Sequence, residues 1–184
     1  MPELISYPWP HLVVDNFLSP DILARSLEEI SSEQYEFEIE SRGLGRIEFS
    51  LLKSETLWRA IYCRRTMDLL NSAFNVKVSL NRKNFLQLRR MNAQTPDFPI
   101  HNDIAASDIK TIASFLYVSP GWKEEFRGHF NLFERAEQSS PSSKLAPIQN
   151  RFLAFVIAAN HWHAVDRPRC WERLSVLAAW DVLE

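Results

Sequence analysis

From residue 76 onward the chain is a series of short apolar runs, each closed by proline or polar residues. Val76–Leu80, Phe85–Met91, Ile109–Val118, Gly128–Phe133, Arg151–Ile157 and Leu174–Trp180 are rich in β-branched and aromatic residues and read as strands. Strands this short satisfy their backbone groups only by pairing into sheets, and each sheet must bury its apolar face against another layer. Ten prolines and only four glycines punctuate the chain. Gln138-Ser139-Ser140-Pro141-Ser142-Ser143 reads as a surface loop inside the domain, not a linker.

The residues before 76 read differently. Ser19-Pro20-Asp21 supplies the N-cap, first-turn proline and acidic first turn of a helix, and Leu23, Leu27 and Ile30 follow at helical spacing. A second helix is expected from about Ser54 to Phe74, where Leu57, Trp58, Ile61, Tyr62, Leu69 and Ala73 share one arc that packs on a sheet. The fold class is therefore mainly β with flanking helices (α+β): a double-sheet barrel or jelly roll with helices packed outside. One domain over 1–184 is expected, with helical support at about 19–75 and a β-core at about 76–184, since a domain holds ~100–200 residues.

Composition narrows the function classes. With 21 Lys plus Arg against 23 Asp plus Glu, the net charge is −2, which argues against a nucleic-acid partner. Cys63 and Cys170 form no CxxC and read as reduced thiols of a cytoplasmic protein. Met1–Ser6 lacks the pattern of a signal peptide. The longest apolar run, Phe152–Ala159, is far short of the ~20 residues that span a bilayer, so no membrane partner is expected.

The chemistry-bearing residues lie in the β half. His101-Asn102-Asp103 puts an imidazole and a carboxylate two residues apart, on the same face of an extended segment. About sixty residues later comes His161-Trp162-His163, in which either histidine has the parity to join them. Two histidines and a carboxylate form the facial triad of non-haem Fe(II) oxygenases, although zinc catalysis uses similar ligands. Arg173-Leu174-Ser175, ten residues beyond His163, favours iron: an arginine fork beside a serine hydroxyl clamps a carboxylate, which implies a carboxylate-bearing cosubstrate.

In this order the motifs resemble the Fe(II)/2-oxoglutarate-dependent dioxygenase superfamily, in its prolyl-4-hydroxylase-like branch. Its pattern is HxD, a distal histidine in a strand, and Arg-x-Ser about ten residues later, here over roughly Phe85 to Val182. Tyr7–Leu18 resembles the entry strand of many bacterial members, and Phe115–Ser119 with Trp122 resembles the family's tyrosine-containing strand. Arg127–Phe133 is similar to the strand that usually begins with two glycines. The resemblance implies a double-stranded β-helix. It implies iron bound by His101, Asp103 and His163, with the His-Ala-Val register favouring His163 over His161. It also implies that Arg173, assisted by Ser175 and Tyr117, holds the far carboxylate of 2-oxoglutarate.

The implied activity is an Fe(II)-, 2-oxoglutarate- and O2-dependent hydroxylase that oxidises an unactivated C–H bond and releases succinate and CO2, with ascorbate as a stimulant. A small-molecule substrate is expected, with a peptidyl proline as the alternative, and a monomer or homodimer as the assembly. A non-catalytic jelly-roll binding module and a zinc-dependent hydrolase are the readings of other classes. Met91 stands where prolyl hydroxylases often carry a cosubstrate-binding tyrosine. His11 and His129 read as structural or surface residues and Glu124-Glu125 as a solvated turn. Arg89-Arg90 reads as surface charge or as a contact to an anionic substrate.

Overall fold

The structure, a computed structural model, describes residues 2–32, 38–40 (backbone), 47–80, 85–104 and 110–183. Two antiparallel sheets face each other. The major sheet runs in the order β1 (Glu3–Ile5), β2 (His11–Val14), β11 (Phe152–Val156), β8 (Thr111–Tyr117), β13 (Arg173–Leu183), β6 (Leu86–Met91), β4 (Ile47–Leu51), β3 (Glu38–Glu40), and β5 (Lys77–Leu80) pairs the far half of β13. The minor sheet is β10 (Ser143–Leu145), β9 (Phe130–Phe133), β12 (Trp162–Val165), β7 (Phe98–His101). This is the double-stranded β-helix, and most of the runs that read as strands pair as strands. Ile109, the first residue of one expected run, lies outside the described residues. Four strands, β1 to β4, precede residue 76, so the β-core also recruits N-terminal segments.

Side-chain alternation on the major sheet builds two cores. Leu12, Val14, Leu88, Leu116, Val176 and Trp180 face outward, against Ile30, Leu57, Ile61 and Leu70 of the helices. Val13, Met91, Phe115, Tyr117, Leu153, Phe155 and Leu177 face inward, against Phe130, Leu132 and Val165 of the minor sheet. Both faces are covered, so all seven residues of β8 are buried, and the strand reads as continuously apolar.

The first helix, α1 (Pro20–Ser32), starts where the Ser-Pro-Asp signal placed it. The second expected helix is two: α2 (Glu55–Ile61) and α3 (Arg64–Phe74). The break is a tertiary effect. The Tyr62 hydroxyl donates to the Phe85 carbonyl at 2.8 Å, and burial pushes its pKa up to about 12. Tyr62 leaves the helical region at φ −84°, ψ 56°, and extended Cys63 starts the next helix.

Asn150 ties the end of β2 to the start of β11. At φ 64° it is in the left-handed region that asparagine tolerates. Its side chain accepts from Leu18 N at 2.8 Å and donates to Leu18 O at 2.9 Å. Asn150→Ala strands two buried backbone groups of Leu18 and places a Cβ-bearing residue at positive φ. It is expected to lower unfolding free energy in urea by about 2–4 kcal/mol. Asn150→Gly relieves only the backbone and should recover a minor part of that loss; full recovery by glycine would show that the two hydrogen bonds contribute nothing.

Candidate active site

The register between β7 and β12 places His101 directly opposite His163. Their rings meet at 4.2 Å between centroids, inside the barrel. Asp103 lies in the bend just past the end of β7 rather than in the strand, yet its carboxylate turns back between the two rings. Oδ1 is 3.5 Å from His101 Nε2, and Oδ2 is 3.3 Å from His163 Nε2. Three ligating atoms thus lie within 4.8 Å of one another. The Asn102 side-chain amide donates to Ala159 O at 2.8 Å and fastens this bend to the segment before β12.

Both tautomers are set by the backbone. His101 Nδ1 is 2.8 Å from Pro99 O and His163 Nδ1 is 2.9 Å from His161 O. A carbonyl can only accept, so each Nδ1 carries a proton and each Nε2 is the ring nitrogen that faces Asp103. Burial alone would raise the Asp103 pKa. The two imidazoles outweigh that and hold its carboxyl well below the usual carboxylate range. The arrangement is therefore two imidazole Nε2 atoms converging on one carboxylate. Phe130 stacks on His163 at 5.0 Å and Phe155 packs against it at 5.1 Å, walling the ring from water.

His161 is not brought to this cluster. It precedes β12, its ring stacks on Trp9 at 4.7 Å, and its Nδ1 bonds to Val156 O at 2.6 Å. It serves His163 through its backbone carbonyl.

Across the barrel, β13 pairs with β6 and β8 so that Arg173 faces Met91, and Ser175 lies between Arg89 and Tyr117. Arg173 is 2% exposed. Its Nε donates to Gly128 O at 3.1 Å and its Nη1 to Ser175 Oγ at 3.3 Å, and the guanidinium rests over the Tyr117 ring at 5.0 Å. Among the described residues no carboxylate lies within ion-pair distance of it. Burial pulls its pKa down, the same burial raises that of Tyr117, and among the described residues the Tyr117 hydroxyl is buried without a hydrogen-bond partner. A buried cation and an orphaned hydroxyl on the wall facing a two-His, one-carboxylate cluster fit a cosubstrate that brings a carboxylate of its own.

The two neighbouring arginines diverge. Arg90 turns to the helix side and pairs with Glu48 at 2.7 Å. Arg89 shares the inner face with Ser175, donates to Gln87 Oε1 at 2.8 Å and lies over Phe115 at 5.8 Å. His129 is buried between Glu124 and Asp166 rather than at the surface. The carbonyls of Pro99, His161 and Gly128 were beyond sequence reasoning, because a backbone acceptor has no residue signature. A cavity of about 600 Å³, lined by Leu27, Ile30, Leu88 and Leu174 among others, lies between α1 and the ends of β6, β8 and β13, on the far face of the major sheet from the triad.

The chain belongs to the 2OG-Fe(II) oxygenase superfamily, whose model matches residues 86–180. The enzymes of this class depend on Fe(II), 2-oxoglutarate and O2, and the protein is a 2-oxoglutarate-dependent non-haem iron oxygenase. Among solved structures it is similar to an oxidoreductase of the 2OG-Fe(II) oxygenase family from Burkholderia pseudomallei, at TM-score 0.71 and 15% identity, covering 93% of this chain and 84% of that one. A prolyl-4-hydroxylase from Pseudomonas putida matches at TM-score 0.68 and 14% identity, over 95% and 92%. The non-haem α-ketoglutarate-dependent epimerase SnoN from nogalamycin biosynthesis matches at TM-score 0.70 and 14% identity, over 93% and 78%. No curated protein sequence matches the chain.

Arg173→Met removes a desolvated charge that lacks a carboxylate partner, at nearly conserved volume. Replacing a buried ion pair by apolar residues of similar volume is often neutral or stabilising by about 1–4 kcal/mol, and an unpaired buried charge offsets even less of its desolvation cost. The ligand-free variant should therefore melt at or above the parent temperature in a calorimetric scan; a clear loss of stability would show that Arg173 is a structural strut.

Proposed function

We propose that His101, Asp103 and His163 hold the iron, and that Arg173, Ser175 and Tyr117 hold the far carboxylate of 2-oxoglutarate, in a hydroxylase acting on a small molecule. The observation that carries this reading is the convergence of both imidazole Nε2 atoms on one carboxylate, opposite a buried arginine with no acidic partner among the described residues.

Bound Fe(II) and 2-oxoglutarate together supply O2 activation, in which the cosubstrate is converted to succinate and CO2 as the substrate is oxidised. The protein's part is placement. His101 and His163 present fixed lone pairs because Pro99 O and His161 O hold their Nδ1 protons. The depressed Asp103 carboxyl stays ionised at neutral pH and supplies the anionic ligand. Arg173 offers a planar fork to the cosubstrate's carboxylate, the Tyr117 hydroxyl has a free proton to donate, and the Phe130 and Phe155 rings exclude water from His163.

The barrel interior is aromatic and the triad is largely buried, with only Asp103 part-exposed, at 29% of its side chain. This favours a compact substrate that enters the barrel, as does the likeness to SnoN. Peptidyl-prolyl hydroxylation is the second reading, favoured by the near end-to-end likeness to the Pseudomonas putida prolyl-4-hydroxylase. A succinate-release screen with iron, ascorbate, small-molecule panels and proline-containing peptides separates the two.

Under nitrogen, Fe(II) plus 2-oxoglutarate should give a visible charge-transfer band. His163→Ala should lose the band and most of the iron affinity. His161→Ala keeps the carbonyl that orients His163, so it should keep the band while losing some stability with the Trp9 stack. The opposite pattern would move the ligand assignment to His161.

Cosubstrate binding separates the other roles. Arg173→Met should weaken 2-oxoglutarate binding about a hundredfold or more, as expected for ~3–5 kcal/mol from one lost charged partner. Tyr117→Phe should cost about 1 kcal/mol, one neutral hydrogen bond. Titration calorimetry under nitrogen checks the ranking, and equal losses would refute it.

A further inference from the structure

We propose that His129 and Asp166 are positioning residues for Arg173: they clamp a strained turn whose Gly128 carbonyl aims the guanidinium, so that 2-oxoglutarate affinity depends on a histidine remote from iron and cosubstrate. The inference rests on the reading of Arg173 as the cosubstrate's clamp.

The turn runs from Trp122 to His129. Arg127 has φ 56° and ψ −143°, a backbone conformation that residues with a Cβ rarely adopt, and Gly128 follows at φ 79°. Strain of this kind persists only where the surroundings over-determine it. Here they do. The Trp122 indole N–H donates to Arg127 O at 2.7 Å, and Arg127 N donates to Glu124 O at 3.1 Å. Arg169 N donates to Phe126 O at 2.7 Å. The Arg127 guanidinium reaches Asp166 at 3.6 Å and Asp97 at 3.9 Å. Arg127 is the one residue of the turn that a glycine would suit better, and these contacts hold it in place.

His129 closes the device. It is 5% exposed, with its ring edge-on to Trp122 at 5.3 Å. Its carbonyl accepts from Asp166 N at 3.1 Å, and its Nδ1 lies 3.5 Å from Asp166 Oδ2, a close contact that is not a hydrogen bond, so Asp166 holds its backbone and borders its ring. The other Asp166 oxygen accepts from the Asn131 amide at 2.7 Å, which ties the clamp to β9. The Nε2 contact to Glu124 at 3.2 Å involves a carboxylate that is 80% exposed, so solvent screens it. What the turn delivers is the Gly128 carbonyl, 3.1 Å from Arg173 Nε. Arg173 otherwise has Ser175 Oγ and the face of the Tyr117 ring to orient it, so a shifted Gly128 carbonyl removes the backbone acceptor that fixes its Nε.

The test titrates 2-oxoglutarate into the Fe(II)-loaded protein under nitrogen, following both heat and the charge-transfer band. His129→Ala is expected to weaken 2-oxoglutarate roughly tenfold while iron affinity stays at the parent value. Asn places an amide nitrogen where Nδ1 was, so His129→Asn should restore most of the affinity; Gln places it where Nε2 was, so His129→Gln should not. Asp166→Ala should weaken binding similarly, and the double variant should add little. Parent-like affinity in His129→Ala, even with a lowered melting temperature, overturns the proposal, as does rescue by Gln in place of Asn. Arg173→Met runs alongside: if it too binds 2-oxoglutarate like the parent, the clamp reading itself falls, whereas its loss of binding beside an unaffected His129→Ala sinks the positioning role alone.

Discussion

The site depends on one pairing register. β7 and β12 meet so that His101 and His163 are opposite each other, and the pairing shifts by a bulge between His163 and Val165. A one-residue slip in a strand sends every side chain to the other face. Slipping either strand would turn its histidine out of the barrel and leave Asp103 beside a single ring. The short minor sheet gains this accuracy from the larger one. Phe130 and Leu132 of β9 pack into the inner face of the major sheet, and Trp162–Val165 pairs with that strand along its whole length. The helices act one layer further out, by covering the outer face of the strands that carry Arg173 and Tyr117.

The two halves of the site obey opposite electrostatics. On the minor sheet a carboxylate is stabilised by two imidazoles and made ready for a cation. On the major sheet a guanidinium is desolvated without a carboxylate partner among the described residues and made ready for an anion. The major-sheet half, with its desolvated guanidinium, is worse off alone than with its ligand. Function is stored as a local deficit of stability, which the apolar rings of Phe115, Phe130 and Phe155 offset from the same interior.

Much of this was legible in the chain. Ser19-Pro20-Asp21 starts a helix where it reads as one, because capping is a local interaction. The strands β8 and β11 are mostly apolar along their whole length because both faces of the sheet are covered there. HxD, the distal histidine and Arg-x-Ser stand at recognisable spacings. What was not legible is what distant partners impose. Nothing between Ser54 and Phe74 announces that the Tyr62 hydroxyl will bond to Phe85 and break the helix. The strands β7, β10 and β12 have three or four residues each, too few to show a period. His161 and His163 share a parity that means nothing until β12 is seen to begin at Trp162. Arg127 gives no sign of positive φ, since the strain is imposed by Trp122 and Asp166.

His11 shows why histidine geometry alone is insufficient for a metal site. His11, His101 and His163 share one local device: Nδ1 bonded to the carbonyl two residues earlier, from Trp9, Pro99 and His161 respectively. Each thereby commits its Nε2 to whatever lies ahead. For His11, among the described residues, nothing does: Nε2 is buried without a partner, and burial pushes the pKa below its ordinary value, with His161 adding to the shift. For His101 and His163 the same ring nitrogens meet Asp103. The difference is a carboxylate in a bend, held by an Asn102 amide on Ala159 O. A divalent cation is drawn where neutral donors surround an anion, and withheld where the donor stands alone in apolar surroundings. On the ligand assignment proposed above, the bend after β7, more than the number of imidazoles in the barrel, decides where iron can sit.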